Sequence, residues 1–161
     1  MRGWLGLGLF SIGCAATPAP APRVATLPTT QITRVDGQAE PLQAALGGSL
    51  AVIDLWATWC TACEQERPKL ERLHAAYAAR GLRVIGLNVG EGASVVNAYL
   101  AENRVSYPIY LDPDFRLADA LGEKRLPTIL LVDRHGRIVQ RSSTLDAQTL
   151  ARVKSQLVSG D

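Results

Sequence analysis

Two cysteines separated by two residues, Cys60-Thr61-Ala62-Cys63, carry the most evident chemistry in this sequence. The chain has three cysteines in 161 residues, and the third, Cys14, closes an apolar leader, so none is left for a structural disulfide framework. A pair at this spacing is either redox-active or part of a metal site. The elements around it narrow what it can do. Leu50-Ala51-Val52-Ile53-Asp54-Leu55-Trp56-Ala57 runs straight into the pair and is almost continuously apolar, as in a strand buried on both faces. Beyond the pair, Ala62 to Arg80 repeats Leu70, Leu73, Ala76 and Tyr77 at helical spacing among charges and stops at Gly81. Cys60 is therefore expected at a helix amino terminus, where unpaired N–H groups and the positive end of the dipole stabilise a thiolate. Cys63, one turn on, shares that helix face and can attack a mixed disulfide on Cys60 to release the partner. Trp59 stands before the pair and is expected to shield one side of it.

The remaining pattern reads as one α/β domain. A strand near Ile32 to Val35, a turn at Asp36-Gly37 and a short helix from Leu42 to Leu46 precede the buried strand. A strand from Arg83 to Val89, a helix from about Ser94 to Asn103, a strand from Pro108 to Leu111 and a short helix from Phe115 to Leu121 follow the long helix. Leu126-Pro127-Thr128 opens a strand to Asp133, a turn at His135-Gly136 leads into Ile138 to Ser142, and a helix spans about Asp146 to Val158. Helical crossovers predict parallel pairing in the first part, and the tight turn predicts an antiparallel hairpin at the end. Trp56 and Tyr77 are expected in the core, His74 and His135 on the surface.

Lysine and arginine exceed aspartate and glutamate by a net charge of only +2, with the basic residues scattered, so no nucleic-acid partner is expected. The start, Met1-Arg2 followed by an apolar run from Trp4 to Ile12, fits an export signal over residues 1–15. Ser11-Ile12-Gly13-Cys14 resembles a bacterial lipobox, with Ser11 in place of the usual leucine and Cys14 as the lipid attachment. A secretory signal cut near Ala16, or a start placed elsewhere, are the alternatives. A lipid-modified Cys14 would hold the protein at a membrane outside the cytoplasm. Residues 16–30, rich in proline and alanine, are expected to be a tether, and 31–161 the folded domain.

The segment Trp56-Ala57-Thr58-Trp59-Cys60-Thr61-Ala62-Cys63, with Pro68 beyond it, resembles the active site of the thioredoxin superfamily. Asn88-Val89-Gly90-Glu91, Tyr107-Pro108, Leu111-Asp112, Leu126-Pro127-Thr128 and His135-Gly136-Arg137-Ile138-Val139 resemble the ResA and TlpA group of membrane-anchored extracytoplasmic thioredoxins, over about residues 31 to 159. The resemblance implies a thioredoxin-like mixed β-sheet flanked by helices, with the strand-helix insertion of that group between Cys63 and Pro127 and an N-terminal extension. It implies a thiol-disulfide oxidoreductase that reduces oxidised client proteins, apocytochrome c among them, with electrons from a membrane donor of the CcdA or DsbD type. No cofactor beyond the Cys60–Cys63 couple is implied. By position, Asp54 matches a buried aspartate that relays a proton to Cys63, Glu91 an acidic residue near the cysteines, and Pro127 a cis proline whose preceding residue, Leu126, pairs with an incoming peptide; Arg125 lies close by. Read without the resemblance, Asp54 is a buried carboxyl satisfied by a neighbour, Glu91 a helix-dipole charge and Pro127 the start of an ordinary strand.

Other chemistries stay open on the residues. Thr61-Ala62 matches neither the Gly-Pro of thioredoxin nor the Pro-His of a strong oxidant, so a disulfide-donating oxidase is an alternative. A peroxiredoxin-like peroxidase resembles Pro-x-x-x-Thr-x-x-Cys, and Ala57 stands where that threonine belongs. A metal-binding protein would need further ligands, and neither histidine has the spacing to supply them.

Overall fold

Residues 26–159 are described by a computed structural model; the expected export signal, Cys14 and the expected tether up to residue 25 lie outside the described residues. The elements run β1 (Gln31–Arg34), β2 (Ala39–Pro41), α1 (Leu42–Leu46), β3 (Leu50–Trp56), α2 (Thr61–Tyr77), β4 (Leu82–Val89), α3 (Ala93–Glu102), β5 (Ile109–Asp112), α4 (Arg116–Leu121), β6 (Thr128–Val132), β7 (Ile138–Ser142) and α5 (Ala147–Val158). They build one mixed sheet in the order β2-β1-β5-β4-β3-β6-β7. β3 pairs parallel with β4, β4 parallel with β5, and β3 antiparallel with β6, which forms the terminal hairpin with β7. The parallel pairs are the ones joined by helices, as the crossover rule requires.

All seven residues of β3 are buried, because the strand has neighbours on both sides and helices on both faces. Alternation along it sorts its side chains. Ala51, Ile53 and Leu55 join the cluster beneath α1 and α4, with Leu42, Leu117 and Leu121. Leu50, Val52 and Trp56 join the cluster beneath α2, α3 and α5, with Leu70, Val96 and Val153. Asp54 lies between Val52 and Trp56 in sequence and so belongs to the α2 face. The α3–β5 unit, lodged between β4 and α4, is the strand-helix insertion implied by the resemblance.

Thr26 and Leu27, which the sequence places in the tether, lie against the domain. Thr26 bridges Arg137, the Leu27 N–H donates to the Gly136 carbonyl at 2.8 Å, and Leu27 is buried at 5% exposure. One buried leucine with a backbone bond to the β6–β7 turn docks a segment whose Pro28 lacks a donor of its own. β2 also escaped prediction, since Ala39-Glu40-Pro41 has little strand propensity; it pairs with β1 because the turn at Gly37 folds it back, at an edge where a proline is tolerated. His74 is half-buried rather than superficial, with its ring edge-on to Tyr107, whereas His135 is exposed. Tyr77 is half-buried beneath the Arg80 guanidinium.

Candidate active site

β3 ends at Trp56, and Ala57, Thr58 and Trp59 form the turn that delivers Cys60 to the N-cap of α2. Cys60 and Cys63 are joined in a disulfide, with Cα atoms 5.3 Å apart. Cys60 has extended backbone, and its sulfur accepts the Cys63 N–H at 3.2 Å. The first turn of a seventeen-residue helix thus directs the Cys63 N–H, shared with the Cys60 carbonyl at 3.0 Å, at the sulfur of Cys60, where it stabilises a thiolate once the disulfide opens. Both cysteines are buried, at 6% and 4% exposure, so exchange needs a partner to approach along the surface beside them.

Behind Cys63, Asp54 lies 3% exposed, and its Oδ1 has no hydrogen-bond partner in the protein; nor has the Trp56 Nε1. Burial, then the nearby Glu66 charge, pushes the Asp54 carboxyl up to about 7. A cavity of ≈10 Å³, space for about one water, is lined by Asp54, Trp56, Cys63, Arg67, Tyr99 and Tyr107 among others. Gly86 is the register partner of Asp54 on β4; a Cβ there would come within 2.5 Å of Ile109 and 3.0 Å of the Trp56 Nε1, so glycine keeps this packing possible. Arg67 bonds the Tyr99 hydroxyl, donates to Asn103 Oδ1 at 3.2 Å and lies over the Tyr99 ring, tying α2 to α3 at the cavity.

Two carboxylates hold the surrounding frame. Glu91 accepts the Thr58 N–H at 2.8 Å, the Thr58 hydroxyl at 2.5 Å and the Asn88 amide at 2.8 Å. Burial alone would raise its pKa, but these bonds outweigh it and hold the carboxyl below its ordinary range. Glu91 is therefore an ionised anchor for the turn two residues before Cys60. Glu66, buried on α2, accepts the Leu145 N–H at 2.8 Å, the Thr144 hydroxyl at 2.7 Å and Lys69 at 2.7 Å. Burial raises it and these partners outweigh that, leaving it ionised. The sequence reading missed Glu66; its signal was an acid one turn from Cys63 on the inward stripe that continues to Leu70 and Leu73.

The Leu126–Pro127 peptide is cis, as the resemblance implies. Leu126, half-buried, and Arg125, exposed, line a groove of ≈280 Å³ with Trp59, which is 68% exposed, and with Leu55, Val89 and Phe115. Trp59 stands out into solvent as one wall of this groove. Among the described residues no group of three or more histidine, cysteine, aspartate or glutamate side chains is gathered as metal ligands would be, and no helix is long and apolar enough to cross a membrane.

A family model described as Redoxin matches residues 19–157. The chain is 34% identical over 95 residues to the thiol-disulfide oxidoreductase ResA of Halalkalibacterium halodurans, covering 59% of this chain and 54% of that protein. To ResA of Bacillus subtilis it is 30% identical over 95 residues, covering 59% and 53%. The chain thus spans about half the length of these curated relatives. Among solved structures, the thioredoxin domain of a thiol-disulfide oxidoreductase from Bacteroides vulgatus superposes with a TM-score of 0.72 at 20% identity, covering 84% of this chain and 96% of that one. StoA from Bacillus subtilis superposes with a TM-score of 0.66 at 19% identity, covering 81% and 98%. At these identities the structures establish a thioredoxin-like fold.

Proposed function

The chain belongs to the redoxin family, and we propose that within it this protein is a thiol-disulfide oxidoreductase that reduces disulfides of client proteins outside the cytoplasm. The observation that carries the reading is the Cys60–Cys63 disulfide at the amino end of α2 with Asp54 behind it. Starting from the dithiol, the Cys60 thiolate attacks one sulfur of a client disulfide, and the other client sulfur leaves as a thiolate. Cys63 then gives its proton to Asp54 and attacks the Cys60 sulfur, expelling the second client thiolate. The client gains two electrons and the protein ends in the disulfide form. A carboxyl titrating near 7 suits this exchange, since it can accept the Cys63 proton and return it to solvent. The couple is the cysteine pair itself, so the reaction needs no cofactor.

Apocytochrome c is one client compatible with this chemistry, and a membrane dithiol donor of the CcdA or DsbD type would return the protein to the reduced state. Cys14, if lipid-modified, would tether the domain on the outer side of the membrane. Direction is tested by equilibrating the Cys60–Cys63 couple with glutathione or a reference thioredoxin. A potential near or below roughly −230 mV supports the reductase; one near roughly −120 mV makes the protein a disulfide donor instead. The absence of any reversible two-electron couple would sink the redox reading altogether.

A further inference from the structure

We propose that Phe115 and Trp59 form an aromatic client-binding groove, selecting an extended segment that carries a large apolar side chain beside its cysteine and a carboxylate nearby. This rests on the oxidoreductase reading and names the chemistry of its client.

Phe115 is the only non-glycine residue with a positive φ among the described residues, at φ 59°, where bulky side chains are outliers. Helix α4 does not need the ring there. The Asp112 carboxylate caps it instead, accepting the N–H groups of Leu117 at 3.0 Å and Ala118 at 2.8 Å. Asparagine or glycine would suit that backbone better than phenylalanine. The ring also demands a concession from its neighbour. Gly90, whose own φ of 79° favours glycine, gives it room: a Cβ there would lie 2.3 Å from the Phe115 Cζ. The backbone bond from the Gly90 N–H to the Asp112 carbonyl at 2.9 Å fixes the two segments together. A ring held this way ordinarily fills a core, yet Phe115 stays 47% exposed.

Four large apolar residues are exposed among the described residues, and two of them, Trp59 and Phe115, line this one groove. Exposed aromatics gathered over an apolar floor mark a binding surface rather than chance exposure. The groove is continuous with the redox site, since Trp59 precedes Cys60 and Leu126 precedes cis Pro127. Its charge points to the occupant. Lys124 and Arg125 on the rim make no ion pair among the described residues, whereas Glu123 is engaged by Arg141, leaving Asp119 as the single unpaired acid. A client with an acidic residue near its cysteine complements that rim.

The test uses two disulfide peptides, identical and carrying one glutamate, except that phenylalanine in one is replaced by glycine in the other, beside the cysteine. Reduction by the dithiol form of the full chain is followed, and kcat/KM compared. The wild type is expected to favour the phenylalanine peptide by at least about tenfold, the scale of one buried apolar side chain. Phe115→Asn, which suits the left-handed backbone, should bring that preference below about threefold. Phe115→Gly, which removes the ring and also suits φ 59°, should do the same, and decides the matter if Phe115→Asn melts early. Val95→Ala, another exposed apolar residue, should keep the preference. Lys124→Glu with Arg125→Glu should lower the rate on the glutamate peptide relative to a glutamine version. No preference in the wild type, or a preference unaltered in both ring variants while peptides are still reduced, overturns this inference and leaves the oxidoreductase reading standing. If neither peptide is reduced at all, the oxidoreductase reading fails and takes this inference with it.

Discussion

On the α2 face of the sheet, Asp54, Trp56 and Cys63 enclose a cavity of ≈10 Å³, while on the α4 face Leu55, Val89 and Trp59 open onto a groove of ≈280 Å³. Both regions grow from the same strand, because consecutive residues of β3 point to opposite faces: Asp54 and Trp56 one way, Leu55 the other. The cavity side contains a buried titrating carboxyl with an unpartnered oxygen; the groove side contains exposed aromatics and cations. One turn thus separates the carboxyl proposed to relay protons from the groove proposed to seat a client, and changes on one side should leave the other largely intact.

The cysteines are where the two sides meet, and their removal has the largest effect. Cys60→Ser is expected to abolish exchange, whereas Cys63→Ser should retain attack and accumulate mixed disulfides, seen on non-reducing gels and by mass spectrometry. Recovering no trapped species from Cys63→Ser would remove the two-step scheme. Next in size is Asp54→Asn. It should slow the Cys63-dependent step more than the attack by Cys60 in stopped-flow traces; equal slowing of both would exclude Asp54 from the relay. Its stability signature has a fixed sign. The native carboxyl keeps its proton until about pH 7, while the unfolded one loses it near 3.8. Native protein therefore binds more protons in that window, and stability falls as pH rises through it, by on the order of 4 kcal/mol. Asp54→Asn should abolish this fall, so that urea titrations show the variant gaining on the wild type at pH 8 and not below pH 4.

The cavity and groove sides were not equally legible in the sequence. β3 and the cysteine pair could be read directly, because a continuous apolar run and a local spacing need no knowledge of distant partners. Alternation also placed Asp54 inside the strand. Glu66 was missed because what it holds, Thr144 and Leu145, comes from the loop before α5, far along the chain. Glu91 was singled out, but its bonds to Thr58 depend on how the turn folds back across β4. Phe115 looked like the first residue of an ordinary helix, and only its backbone and its seat on Gly90 set it apart.

Glu91→Gln asks whether that carboxylate is an anchor or part of the proton pathway. As an anchor, its loss should cost about 1.5–3 kcal/mol in urea, the range of a charged hydrogen bond. Its folded carboxyl is held low, so its contribution is present above the ordinary carboxylate range and is lost only as pH falls into the acid region. Exchange should slow on both peptides alike, because the turn before Cys60 serves both, with the pH profile near 7 retained. A profile altered as in Asp54→Asn would instead place Glu91 in the relay.

The smallest effect is expected from Arg67, and it bears most finely on the division between the two sides. Its guanidinium lines the cavity with Asp54 and is braced by Tyr99 and Asn103. Its charge also opposes the upward push that burial and Asp54 exert on the Tyr107 hydroxyl, so its field reaches the cavity wall. A charge that acted on Asp54 as it acts on Tyr107 would favour the carboxylate, and Arg67→Met tests this: the midpoint of the Cys63-dependent step should move to higher pH. Tyr99→Phe loosens the brace but keeps the charge, and should leave the midpoint in place. If Tyr99→Phe shifts it as far as Arg67→Met does, packing of α3 on α2 rather than the guanidinium's field governs the cavity. Neither variant should change the preference between peptides, because the groove lies on the opposite face; a change there would mean that the two sides communicate through β3.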